Sequence, residues 1–174
     1  MLEDKQLTID YIEDVADDFK EQKEIFVEIP TKDGIEKVGL TIDRYFSPVK
    51  VNLCVRELIT NIDTLRTYLK DLDNVDELFQ SWLVMLMIKH FSSLEISNIF
   101  LKQVAILDKL VETTVLFQIF ANFNTNEIEK VMEELESVTT NAIFNFENFK
   151  DIYAKAEQDH KLNKEIIREI IEGK

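Results

Sequence analysis

The side chains that could carry acid–base or nucleophilic chemistry are few: 2 histidines and 1 cysteine in 174 residues. His90 closes an apolar stretch, where a packed or helix-end histidine is expected, and His160 lies in a charged run typical of a solvated surface. Cys54 falls within a helical apolar pattern and is expected to be a small core residue. The sequence therefore indicates no Cys–His pair.

Carboxylates are abundant, but none stands in a pattern that names a reaction. Asp71 and Asp73 could bind Mg²⁺, yet two aspartates in so acidic a chain are more simply interpreted as a loop. The chain also lacks a P-loop, the GxGxxG and GxSxG motifs and the HExxH zinc motif. We therefore expect a protein that is not an enzyme, with no cofactor and no metal site.

The charge of the chain restricts its partners. It has 34 acidic and 20 basic residues, a net charge of −14, and residues 1–28 alone contain ten acidic and three basic side chains. An acidic surface is repelled by phosphate backbones and by anionic membranes, and no basic patch is visible. We expect the partners to be other proteins, including copies of this chain, and not nucleic acid or a membrane.

The sequence shows no targeting or membrane-spanning segment. The N-terminus reads MLED, without a basic and then apolar leader. The longest apolar run covers residues 82–88, far below the roughly 20 residues of a membrane span. The expectation is a protein that is neither secreted nor embedded in a membrane.

The apolar periodicity predicts a mainly α fold, a bundle of five to seven helices with an N-terminal β-hairpin. Alternation on both sides of Asp33-Gly34 predicts the hairpin over 24–44. Ser47-Pro48 is a typical helix start. Helices are predicted over 7–22, from 48 to about 71, over 75–91 and 98–121, from 124 onward, around 144–153 and over 163–172.

Two helices of this series have further features. The helix over 75–91 is apolar nearly all round, which predicts a central position with Trp82 in the core. Asn124 and Glu127 have the spacing of a capping pair at the start of the helix predicted from 124 onward. Residues 139–141 (TTN) are weak helix formers and predict a kink or an end.

The C-terminal region holds the residues that we predict to bind a partner. Residues 1–154 are predicted to be a single domain, and 155–174 a polar spacer and a C-terminal helix that could project. A Phe-x-Phe spacing cannot place every ring on one helical stripe, and a short helix with an isoleucine face needs something to cover it. The predicted partner-binding residues are Phe144, Phe146, Phe149, Ile166, Ile167, Ile170 and Ile171.

One stretch carries a resemblance to a known group of proteins. The segment VGLTIDRYFSPVK at 38–50 reads as a strand, an aromatic corner and a Ser-Pro helix start, and a later helix closes on IKHFS at 88–92. About 55 residues so arranged resemble small accessory proteins encoded among the virion genes of tailed bacteriophages with AT-rich genomes. The resemblance implies a virion component or assembly factor, located in the virion or in the host cytoplasm, and carries over no functional residue.

The sequence thus predicts a protein–protein interaction protein, a structural or assembly component of a tailed phage particle. Head–tail joining, a tail component or a tail assembly chaperone are the roles that the resemblance implies. The alternative is an acidic inhibitor that mimics nucleic acid and occupies the binding site of a host defence protein. Salt separates the two, because binding through charge weakens steeply with ionic strength and binding through apolar surface does not.

Overall fold

The computed structural model describes residues 7–69 and 75–138. This part of the chain is mainly helical with a two-stranded antiparallel hairpin, as predicted. Its elements are α1 (Ile9–Asp18), β1 (Gln22–Thr31), β2 (Gly34–Asp43), α2 (Pro48–Leu69), α3 (Val75–Phe91), α4 (Phe100–Glu112), α5 (Val115–Phe120) and α6 (Thr125–Val138).

The predicted hairpin is confirmed. Its strands pair from Gln22 opposite Asp43 to Thr31 opposite Gly34. Lys32 and Asp33 form the turn, and Gly34 follows it at a φ of 132°, a conformation that glycine adopts without the steric cost of a Cβ. The Asp-Gly pair was therefore the correct signal for the turn.

The first helix is shorter than the predicted 7–22, because α1 begins at Ile9, ends at Asp18, and β1 already begins at Gln22. The predicted Ser47-Pro48 start of α2 is confirmed. The side chain of Thr8 accepts a hydrogen bond from the backbone N–H of Tyr11 at 3.2 Å, which satisfies one of the unpaired donors of α1. Ser47 does the same for the N–H of Lys50 at 3.3 Å, and Pro48 is the first residue of α2.

Helix α3 lies at the centre of the fold, as its nearly continuous apolar circumference predicted. Every residue from 82 to 88 is at most 1% exposed, and Trp82 itself is fully buried, which confirms its predicted core position. Helices α2, α4 and α5 pack against α3. One continuous hydrophobic core therefore joins the hairpin to the helices, with Ile25, Val27 and Ile42 as the hairpin's buried face.

The single helix predicted over 98–121 was wrong, because the chain turns between α4 and α5. Thr114 has a φ of 60°, in the left-handed region that breaks a right-handed helix. Apolar spacing alone did not reveal the break, since both sides of it are buried in the same core. The turn sets α5 at the angle from which Gln118 reaches β1.

Only half of the capping pair predicted for α6 is present. Asn124 accepts a hydrogen bond from the N–H of Asn126 at 3.0 Å, as a cap should. The carboxylate of Glu127 accepts a hydrogen bond from the backbone N–H of Phe46 at 2.6 Å, and not from the backbone N–H of Asn124. The predicted kink at 139–141, the helices around 144–153 and over 163–172, and the division at 154 lie outside the described residues.

Candidate functional site

The most unusual surface in the described part of the chain is the apolar side of α1. No residue of this ten-residue helix is buried. We call Ile9, Tyr11, Ile12 and Val15 the α1 apolar face; their exposed fractions are 69%, 42%, 47% and 37%. An amphipathic helix normally buries this side against its own core, and α1 does not.

The opposite side of α1 is strongly acidic. We call Asp10, Glu13, Asp14, Asp17 and Asp18 the α1 acidic face, and all five are exposed. Only Asp17 has a basic partner in the described residues, Lys20, whose Nζ lies 2.5 Å from its Oδ1. Helical spacing separates the two faces cleanly, because apolar residues recur at steps of three and four between the carboxylates.

The base of the hairpin follows α1 closely in sequence. The backbone N–H of Arg44 donates to the carbonyl of Glu21 at 2.9 Å, which closes the strand pair directly after α1. A helix of ten residues is marginal in water without tertiary contacts. The Thr8 cap satisfies one donor at the start of α1, and Ile9, Ile12 and Val15 are exposed along the helix.

The hairpin itself is held on both edges by side chains from the helical bundle. The amide of Gln118 accepts from the N–H of Glu28 and donates to its carbonyl, both at 2.8 Å, and so pairs with β1 as a neighbouring strand would. On β2, Thr41 exchanges hydrogen bonds with Ser93. These contacts occupy the edge backbone groups of β1 at Glu28 and of β2 at Thr41, which would otherwise be open to strand addition.

A polar cluster beneath the surface joins three helices, and it is where His90 is found. Glu57 of α2 accepts hydrogen bonds from Lys89 Nζ at 2.5 Å, His90 Nε2 at 2.8 Å and Gln103 Nε2 at 2.6 Å. The side chains of Glu57, Lys89 and His90 are between 10% and 19% exposed. Gln103, fully buried, also donates to the carbonyl of Ser97.

The electrostatics of this cluster favour a stabilising role over a catalytic one. Burial acts to raise the pKa of Glu57, but hydrogen bonds from His90, Lys89 and Gln103 outweigh it and hold that pKa at about 2. A carboxylate so stabilised is a poor general base at neutral pH. Burial, together with the negative charge of Glu57, raises the pKa of the Cys54 thiol, so that thiol stays protonated and unreactive.

None of the partner-binding residues predicted from the sequence lies in the described part of the chain. Phe144, Phe146, Phe149, Ile166, Ile167, Ile170 and Ile171 all fall outside it, as do Asp71, Asp73 and His160. Between residues 7 and 138, apart from 70–74, no cluster of His, Cys, Asp and Glu could hold a metal ion. No helix of the same part is long and apolar enough to cross a membrane.

The α1 surface was not singled out from the sequence, although its signal was present. The apolar stripe of α1 is visible as a periodicity, but periodicity does not say whether the stripe meets the core or the solvent. The Glu57 cluster had no local signal, because its members come from three helices and are up to 46 residues apart in sequence.

Comparison with known proteins places the chain in one family. Its sequence matches the YomO family over residues 9–174, and the chain belongs to that family. The family's name is that of a phage-derived protein of Bacillus type, which is consistent with a phage association. No curated protein and no solved structure matches the chain.

Proposed function

We propose that this chain is a protein-binding component of a tailed phage, and that α1 docks its apolar face on the partner. The observation that carries the proposal is a helix with a capped start and no buried residue. Recognition of this kind places the anchors of an amphipathic helix, spaced three and four residues apart, in an apolar groove.

The charges of α1 define the partner's chemistry. The α1 acidic face leaves four of its five carboxylates without an ion pair to a described residue. A groove with an apolar floor and a rim of lysines and arginines complements both faces of this helix at once. A second copy fits less well, because two α1 helices packed together would bring their carboxylates close to one another.

Work in particle assembly is the role that agrees best with these features. Membership of the YomO family supports a phage setting, and an exposed docking helix suits a protein that joins or chaperones others. Head–tail joining, incorporation into the tail and chaperoning of a tail protein all need such a surface. Each role predicts that loss of the α1 apolar face blocks assembly without unfolding the chain.

The test is a double substitution, Ile12→Ser with Val15→Ser, introduced into the gene of a phage that encodes this chain. Since neither residue is buried, urea unfolding of the variant should stay within about 0.5 kcal/mol of the original chain. The phage titre should fall at least tenfold, with separate heads and tails or malformed tails in electron micrographs. Normal titre from the double variant would refute the docking proposal.

A matched control distinguishes α1 from exposed apolar surface in general. The exposed fraction of Val38 on the hairpin is 42%, which lies between those of Ile12 and Val15. Val38 belongs to a different element. Val38→Ser should therefore leave both the titre and the stability unchanged. An equal loss of titre in this control would show that the hairpin, or exposed apolar surface as a whole, is the functional feature. A concentration-dependent dimer that the double variant abolishes would identify a second copy as the occupant.

The α1 acidic face supports a second candidate, an inhibitor that mimics nucleic acid. Five exposed carboxylates on one side of a ten-residue helix resemble a row of phosphates. This function predicts the reverse result: Asp14→Asn with Asp18→Asn removes activity, whereas the serine variants retain it. Binding should also weaken steeply between low and high salt, since it would depend on exposed charges.

A further inference from the structure

A cleft at the base of the hairpin has the composition of an anion site. Its volume is about 390 Å³, and it lies between the end of the strand pair and the turn that joins α5 to α6. The lining residues are Lys23, Ile42, Asp43, Arg44, Tyr45, Asn122 and Asn124. Two of them are cationic in a chain whose net charge is −14, so the cleft departs from the charge of the rest of the molecule.

The one carboxylate in the lining is already neutralised. Asp43 is 5% exposed; its Oδ2 lies 2.5 Å from Lys50 Nζ, and its Oδ1 accepts from Gln22 Nε2 at 3.3 Å. A carboxylate that is paired in this way repels a neighbouring anionic ligand only weakly. Asp43 therefore fixes the floor of the cleft without cancelling the cations at its sides.

The two cations are available to a ligand. Lys23 forms no ion pair with any described residue. Arg44 has one acidic neighbour, Glu21, with 3.9 Å between Nη1 and Oε2 and both side chains at least half exposed. So long and exposed a pair is weak, and the guanidinium keeps donors for another oxyanion.

The remaining polar groups of the lining add more donors than acceptors. Asn124 already uses its side-chain oxygen to cap α6, so its amide N–H groups remain. Asn122 donates one N–H to the carbonyl of Gln118 at 2.8 Å, which orients the amide and leaves its second N–H. Ile42 and the ring of Tyr45 supply apolar wall, so the cleft suits an anionic group joined to a small organic body.

From this geometry we infer that the cleft binds the oxyanion of a small organic phosphate or carboxylate, with Lys23 and Arg44 as its charged contacts. An ammonium on β1 and a planar guanidinium at the residue after β2 can contact different oxygens of one such group. The cleft is larger than inorganic phosphate alone, so its apolar wall can contact the rest of an organic ligand. The site is separate from the α1 apolar face and does not depend on it.

The test is a titration of the full chain at constant ionic strength, in which the backbone amide chemical shifts are monitored by NMR. The probes are glycerol phosphate, succinate and, as a salt control, chloride. Saturating shifts at the backbone amides of Lys23, Arg44, Asn122 and Asn124, with half-saturation on the order of 1 mM, are expected for one of the two organic anions. The stronger of the two identifies phosphate or carboxylate as the natural group.

The double substitution Lys23→Gln with Arg44→Gln should weaken that binding at least about tenfold. Both side chains are exposed, so the variant should keep the fold, which its remaining chemical shifts would show. Lys32→Gln, at the far turn of the hairpin, is the matched control and should bind as the original chain does. The inference is overturned if neither organic anion saturates, if chloride gives the same shifts, or if the double variant binds equally well.

Discussion

Replacing Glu57 by glutamine should destabilise the fold. The substitution keeps the size of the side chain but removes the charge that accepts from Lys89, His90 and Gln103. It also places an N–H₂ group among three donors. Since the Lys89 side chain is only 10% exposed, its ammonium would then lie nearly buried beside no negative charge.

The expected loss is about 2–4 kcal/mol of unfolding free energy. Breaking a buried ion pair by removing one partner typically costs about 3–5 kcal/mol. The Glu57 side chain is 19% exposed, so some water reaches the cluster and reduces that figure. Urea unfolding at pH 7, followed by Trp82 fluorescence and by circular dichroism, measures it directly. A loss below about 1 kcal/mol would refute the view that this cluster stabilises the helices.

The dependence on pH gives an independent check with a definite sign. The pKa of Glu57 is lowered from 4.5 to about 2 in the folded chain, so its stabilising contribution is present above about pH 4.5 and is lost as the pH falls towards 2. The difference in stability between the original chain and Glu57→Gln should therefore shrink over that interval. Glu133→Gln, an exposed carboxylate on α6, should show no such difference at any pH.

A second substitution tests whether the uncompensated ammonium is the cause. Adding Lys89→Met to Glu57→Gln removes the charge that the first change left unpaired, so part of the lost stability should return. A coupling energy of at least about 1 kcal/mol is expected from this double-mutant cycle. Strictly additive losses would show that Glu57 and Lys89 act through separate contacts.

Three further predictions concern the core, the hairpin and the C-terminal region. Trp82→Ala should cost about 3–5 kcal/mol in chemical denaturation, and a loss below about 1 kcal/mol would contradict its packed position. Gln118→Ala should cost about 1–3 kcal/mol and speed hydrogen exchange at the N–H of Glu28, because that group loses Gln118 Oε1 as its acceptor. Deleting residues 166–174 should leave the melting temperature of the monomer unchanged but abolish association, whereas a sharp fall in melting temperature would indicate that this segment supports the fold.

Much of the fold followed from local signals in the sequence. The hairpin was predictable because alternation on both strands and Asp33-Gly34 at the turn all favoured the same structure. Helix α3 was predictable because residues 83–88 leave it no polar side, which a helix can bear only at the centre of a fold. The starts of α1 and α2 followed from residues that cap their own helices, and capping is a local interaction.

What could not be predicted depends on contacts distant in sequence. The break at Thr114 has no glycine or proline to mark it, and threonine in a left-handed conformation is held there by the packing on both sides. The spacing of Asn124 and Glu127 predicted a capping pair, but the Glu127 carboxylate accepts from the N–H of Phe46, 81 residues earlier. A spacing rule cannot foresee such a partner, because the rule contains only one helix.

The same distant polar contacts explain why a small two-stranded hairpin is stable in this protein. An isolated hairpin is marginal in water, and this one has only one buried face. Gln118 fastens β1, Ser93 fastens β2, and Glu127 holds Phe46 immediately after the strands. Gln118 lies on α5, Ser93 follows α3 and Glu127 lies on α6, so the hairpin cannot shift unless these parts of the fold shift with it. The cleft at Lys23 adjoins the hairpin, which gives it a rigid support for binding.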